Sequence, residues 1–146
     1  MLAPPPAVFL GCFVGGGLLE LLWSSPAFPG WMRAGGLALF LGISAALIIA
    51  ARLRFRSADT NVQPSQPATA LVVDGIYGRT RNPMYLGLAA GHVGLALGLG
   101  SLWALLALVP ALLVIHHGVV LREERYLEEK FGGEYLRYRA RVARWI

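Results

Sequence analysis

Two short polar clusters bracket a long stretch without charge. Thr80-Arg81-Asn82 opens it and Arg122-Glu123-Glu124 closes it, while residues 82–121 contain no Asp, Glu, Lys or Arg. These side-chain types have definite uses. An arginine beside a helix N-terminus is a natural anion site. A glutamate pair is a natural ammonium site. Together they suit a zwitterion such as an amino acid. If the uncharged stretch folds back on itself, its two ends meet, and Arg81 and Glu123 become near neighbours. A second reading stays open: Glu123 and Glu124 lie on a solvated helical face and pair with arginines three or four residues away.

Other ionisable groups sit inside apolar runs. Glu20, His92, His116 and His117 are candidates because intramembrane ionisable residues are costly and tend to be functional. Glu20 also reads as a side chain snorkelling to an interface, and His92 as a satisfied buried histidine. Adjacent histidines on a helix diverge by about 100°, so His116, His117 and Glu123 make a poor metal site, and no metal is expected. Cys12 is the single cysteine. It allows no internal disulfide and reads as a small apolar side chain rather than a redox centre. There is no phosphate-binding glycine loop and no nucleophile elbow. Gly15-Gly16-Gly17 lies in an apolar run and is not a phosphate cradle.

The elements that must position these residues follow from composition. Of 146 residues, 56% are hydrophobic and 14% charged, against about 25% charged in a soluble domain. This excludes a disordered chain, a disulfide scaffold and a nucleic-acid-binding globule. About 20 apolar residues cross a bilayer core of about 30 Å. Four spans are expected, at about 7–23, 32–51, 83–98 and 102–120, in a single all-α membrane domain over 1–146. Asn82 and Pro83 mark the start of the third span. Gly98 to Ser101 is the turn between spans three and four, and Pro110 is expected to kink span four. Residues 58–82 form a polar loop. C-terminal helices over 121–146 are broken at Gly132-Gly133. Tyr135, Tyr138, Val142 and Trp145 form a stripe suited to the membrane interface. Gly87, Gly91, Gly94 and Gly98 share one face of span three. That face suits close helix packing or, alternatively, a narrow slot for an alkyl chain. Twelve of the 13 basic residues lie in 52–81 or after 121. The positive-inside rule then puts both termini in the cytoplasm.

An ordered set of motifs carries a resemblance. Asn61-Val62-Gln63-Pro64, Ala70 to Tyr77 and Arg81-Asn82-Pro83-Met84-Tyr85-Leu86-Gly87, followed by Glu123-Glu124-Arg125-Tyr126-Leu127, Phe131-Gly132, Glu134-Tyr135 and Tyr138 to Trp145, resemble the isoprenylcysteine carboxyl methyltransferase family in its bacterial branch. That family is related to the phospholipid N-methyltransferases. The resemblance covers about residues 58–146. It implies an integral membrane enzyme of the bacterial inner membrane that uses S-adenosyl-L-methionine. It implies cofactor contacts at Thr69, Ala70, Leu71, Val72, Tyr77, Asn82, Pro83, Met84, Tyr85 and Glu123. Arg81 and Glu124 are the catalytic candidates, and Arg122 the substrate-binding one.

The implied acceptor is lipid-like or membrane-soluble: a prenylcysteine-like carboxylate, an amine or a thiol. A carboxylate needs no base. An amine must first lose a proton, so a base such as Glu124 or His116 would then matter. The partners expected are that small molecule and membrane lipids, not nucleic acid. The competing reading is a small non-catalytic membrane subunit or transporter, supported by Glu20, His92 and the glycine face.

Overall fold

A computed structural model describes residues 4–58 and 69–146. Five helices account for most of it: α1 (Pro5–Leu22), α2 (Gly30–Ser57), α3 (Pro83–Leu99), α4 (Leu102–Phe131) and α5 (Gly133–Arg141). A 3-10 turn, Gly75–Gly78, precedes α3. The fold is all-α, with no strand among the described residues. α1, α2 and α4 are long and apolar enough to cross a membrane. α3 is apolar and has 17 residues, about 26 Å at 1.5 Å per residue and at the short end of what spans a bilayer.

The outer surface is that of a lipid-facing bundle. Among the 28 residues of α2, only Ala51 is buried. Leu10, Leu18, Leu21, Leu39, Ile49, Leu95, Val109 and Leu113 are all exposed. Helices that are apolar all round, with their apolar side chains turned outward, fit hydrocarbon as the solvent.

α3 is the centre. It packs on α2 along one side and on α1 and α4 along the other. The glycine face explains the first contact. A Cβ at Gly94 would stand 3.1 Å from Phe40 Cβ and 3.2 Å from the Leu41 backbone nitrogen, and one at Gly87 would stand 2.7 Å from Ile48 Cγ1. The face is filled by α2, so the alternative of an alkyl-chain slot there is overturned. A second close crossing joins α1 to α4: a Cβ at Gly16 would lie 2.6 Å from Ala104 Cα.

The turn between α3 and α4 is fixed by three groups. Gly100 takes φ 73°, a left-handed conformation that glycine adopts without strain. Ser101 Oγ caps α4 by accepting the Ala104 amide at 3.0 Å. Glu20 accepts hydrogen bonds from the hydroxyls of Ser101 and Ser25, both at 2.8 Å. Glu20 thus ties α1, the following loop and this turn together. Arg33 Nε donates to the Gly98 carbonyl at 3.2 Å, at the C-terminal end of α3.

α4 is interrupted twice. It turns at Ala107 and resumes at Leu108, one turn before Pro110, as expected where a proline ring crowds the preceding turn. From His116 to Val120 it is π-helical. The buried seam shows the effect. Ala111, Ile115 and Val119 follow one another at four-residue steps, but the next buried positions are Val120 and Glu124. The wide turn moves the seam on by one residue. It thereby turns Glu124 inward rather than to solvent.

Candidate functional site

The polar clusters meet as the hairpin requires, but with different partners from those expected. Arg81 Nη1 pairs with Glu124 Oε1 at 3.0 Å, with both side chains nearly buried. Arg144 clamps the same carboxylate from the other side, Nε to Oε1 and Nη2 to Oε2, both at 2.8 Å. Arg81 Nη1 also donates to the Tyr135 hydroxyl at 3.2 Å. Its Nε is buried and has no hydrogen-bond partner among the described residues.

Glu123 is instead held by a neutral donor. The Tyr85 hydroxyl donates to the Glu123 carboxylate, 2.9 Å from either oxygen. Among the described residues no Lys or Arg pairs with Glu123. It lies beyond Val120, outside the apolar part of α4. Burial pushes its carboxyl up to about 7, against the opposing hydrogen bond from Tyr85. The reading of the glutamate pair as a solvated face therefore does not hold: Glu124 is buried and Glu123 partly so.

The strand of loop before α3 forms the next wall. Tyr77 is buried with Ala51 and Val72, its ring edge-on to Phe55 at 5.3 Å, with Met84 packed against the same cluster. Burial first, then the Tyr138 phenol and the Glu123 charge, raise its hydroxyl well above the ordinary tyrosine value. Leu71 and Val73 pack on Tyr135, Tyr138 and Val142. Thr69 and Ala70 lie at the start of this described segment, and Asn61 to Pro64 lie outside the described residues.

The C-terminal segment closes the site from behind. α5 ends at Arg141, and Val142 is extended at φ −120° and ψ 127°. The chain then returns to the start of α3. The Arg81 amide donates to the Ala143 carbonyl at 3.0 Å, and Asn82 Nδ2 donates to the Arg144 carbonyl at 2.9 Å. Asn82 occupies the cap position of α3 with Pro83 behind it, as expected, but its side chain makes no cap bond. It anchors the tail instead. The aromatic stripe is also redirected. Tyr135, Tyr138 and Val142 are buried within the protein, and Trp145, beyond the helix, packs beside His116 with ring centroids 6.2 Å apart. No local pattern in the sequence marks Arg144 or this return.

The remaining candidates separate. Arg122 is exposed on α4. His92 Nε2 donates to the Ala104 carbonyl at 2.8 Å, so that nitrogen carries the proton. Its Nδ1 is buried without a partner among the described residues, against Phe13, whose ring is edge-on at 5.3 Å. With Glu20 and His92 both tied to the α3–α4 turn and α4, two supports of the transporter reading become parts of the frame.

Comparison with known proteins decides the family. The phospholipid methyltransferase family model matches residues 31–134. The chain belongs to the phospholipid methyltransferase family. The match takes in α2 from Trp31, α3, α4 and with them Arg81, Tyr85, Glu123 and Glu124, and it stops before Tyr135 and Arg144. A Haemophilus influenzae (strain ATCC 51907 / DSM 11121 / KW20 / Rd) protein described as uncharacterized is 44% identical over 63 residues, 43% of this chain and 100% of that protein. No solved structure matches the chain. The family is one of membrane methyltransferases, a class that typically uses S-adenosylmethionine, and the apolar helices agree with the membrane part of that statement.

Proposed function

We propose that this chain binds S-adenosylmethionine at the Arg81–Tyr85–Glu123 end of the bundle and methylates a lipid-like amine. The observation that carries the reading is the Glu123 carboxylate, partly buried, held by a neutral hydroxyl and without a cationic partner among the described residues. A carboxylate so placed is short of a positive partner. Close by in the same polar cluster, Arg81 Nε is a buried donor with no acceptor among the described residues. One unmet site of each sign fits the ammonium and carboxylate of an amino acid. Tyr77, Met84, Leu71 and Val72 supply apolar walls, with Thr69 and Ala70 at the rim.

The residues divide the work. Glu123 holds the ammonium through a charge-assisted bond. Arg81 offers Nε to the carboxylate while its Nη1 stays on Glu124. Glu124 and Arg144 position Arg81 and Tyr135. Both oxygens of Glu124 are already taken by guanidiniums, so Glu124 is a positioning residue rather than the proton acceptor. Arg122, exposed at the membrane edge, would receive the anionic part of the acceptor. S-adenosylmethionine, when bound, supplies an electrophilic methyl group. The protein's own contribution is then orientation and exclusion of water, and proximity alone supplies roughly 7–11 kcal/mol.

The same reading gives four spans with both termini cytoplasmic in a bacterial inner membrane, since twelve of the 13 basic residues fall on one side. Purified protein incubated with radiolabelled S-adenosylmethionine and a total lipid extract should transfer label to an amine-bearing lipid. Label confined to water-soluble products would contradict the proposal.

A further inference from the structure

Apart from the cofactor end, α3 and α4 enclose a groove of about 460 Å³ lined by Leu86, Ala89, Val109, Leu112, Leu113, His116 and Trp145. Its lining is apolar but for one imidazole, which sits with the Trp145 ring at the end toward the polar cluster. Val109 and Leu113 are exposed, so the groove opens toward the hydrocarbon. Ala89, Leu112 and Trp145 of the lining pack against the cluster that holds Tyr85, which puts the groove next to the hydroxyl that Tyr85 donates to Glu123. His116 begins the π-helical turn. It is partly buried and stacks edge-on against the exposed His117, ring centroids 4.8 Å apart.

We infer that His116 is the proton acceptor for an alkylamine whose chain lies in this groove. The inference rests on the methyltransferase reading above and adds a residue to it. An ammonium group cannot attack, because its lone pair is occupied. A base must therefore stand where the headgroup lies. The other groups are committed. Glu124 is clamped by Arg81 and Arg144, Glu123 is taken by the cofactor ammonium in the reading above, and His92 donates from Nε2 to the Ala104 carbonyl with its other nitrogen sealed among Phe9 and Phe13. His116 is the titratable side chain that lines the groove, and histidine is the side chain suited to exchange a proton near neutral pH. The apolar lining commits the occupant to an alkyl chain, and a base at its polar end is useful to an amine and idle beside a carboxylate.

The step balances as follows. His116 takes one proton from the alkylammonium, freeing the nitrogen lone pair. That pair forms the new nitrogen–carbon bond. The methyl–sulfur bond breaks, and its electrons stay on sulfur as a neutral thioether. The proton leaves His116 for water on the exposed His117 side.

Two measurements test this. In protein whose other tryptophans (Trp23, Trp31 and Trp103) are phenylalanine, a terminally brominated long-chain primary amine should quench Trp145 and shift the His116 ring resonances. Ala89→Phe, which fills the groove without adding a second fluorophore, should abolish both effects. Quenching that is absent, or that survives Ala89→Phe, overturns the groove assignment without any reference to the cofactor. For the base, His116→Gln should bind S-adenosylmethionine with unchanged affinity by calorimetry yet lose about 100-fold or more in single-turnover rate near neutral pH. The rate should recover near pH ~10, where an alkylamine sheds its proton unaided. A His116→Gln rate within about twofold of the unaltered protein, with amine as acceptor, overturns the role of His116. If the unaltered protein binds no cofactor, the methyltransferase reading itself falls, and the base with it.

Discussion

Replacing Glu124 by glutamine keeps the shape of the side chain and removes its charge. The structure sets the size of the effect. Arg81 has 9% of its side chain exposed and Glu124 11%, whereas Arg144 is 35% exposed. Losing the carboxylate strands Arg81 in a nearly dry site. Breaking a buried pair by removing one partner costs about 3–5 kcal/mol. The second arginine faces water, so its loss is largely screened, and Arg144→Ala should cost about 1 kcal/mol or less. The double replacement Arg81→Met with Glu124→Leu removes both charges together and should cost less than Glu124→Gln alone, because an apolar pair carries no desolvation debt. Reversible unfolding of detergent-solubilised protein, followed by circular dichroism, gives all three values. Domains typically hold only about 5–15 kcal/mol in reserve, so the Glu124→Gln shift is large enough to read. Equal losses for Glu124→Gln and Arg144→Ala, or a double replacement worse than Glu124→Gln, would refute the argument that burial rather than ion-pair count sets the clamp's strength.

Other outcomes follow from the same geometry. Gly16→Ala should destabilise by about 1–3 kcal/mol in the same unfolding assay, because the added methyl meets the Ala104 backbone, which cannot rotate away; a change near zero would mean that the helices separate freely there. Cofactor affinity should rise with pH through about 7, where Glu123 loses its proton, and fall again above about 8 as the α-ammonium loses its own; calorimetry across that range checks it, and a flat profile would exclude Glu123 as the ammonium partner. The sign for folding is opposite. The folded carboxyl holds its proton up to about 7 against 4.5 for the free group, so ligand-free stability falls as pH rises between those values. In a Cys12→Ala background, Ser24→Cys and Leu99→Cys should label from outside and Glu129→Cys from inside; labelling of Glu129→Cys from outside would overturn the orientation.

What was legible in the sequence is what short spacing encodes. The apolar runs gave α1 to α4, Asn82-Pro83 gave the start of α3, and Gly100 and Gly132 gave the two turns. The glycine face gave close packing, but its partner, α2, could be known only once the bundle was assembled. The identity of the paired glutamate depended on a phase shift. On a regular helix the seam through Ala111, Ile115 and Val119 would continue at Glu123, and the π-helical turn passes it to Glu124. No local pattern marks that turn. The return of the tail was equally hidden, since it is carried by backbone carbonyls of Ala143 and Arg144 that any residues could present. Glu128, which spacing alone makes a solvated residue, pairs with Arg139 at 2.7 Å, so the exposed Glu129 is the better inert control.

Isothermal titration of S-adenosylmethionine into detergent-solubilised protein tests the central claim most directly. Hydrogen bonds to charged groups contribute about 1.5–3 kcal/mol. Glu123→Gln should therefore weaken binding by roughly tenfold to hundredfold, while Glu129→Gln leaves it unchanged. Equal affinity in all three proteins, or no binding by the unaltered one, would contradict the account.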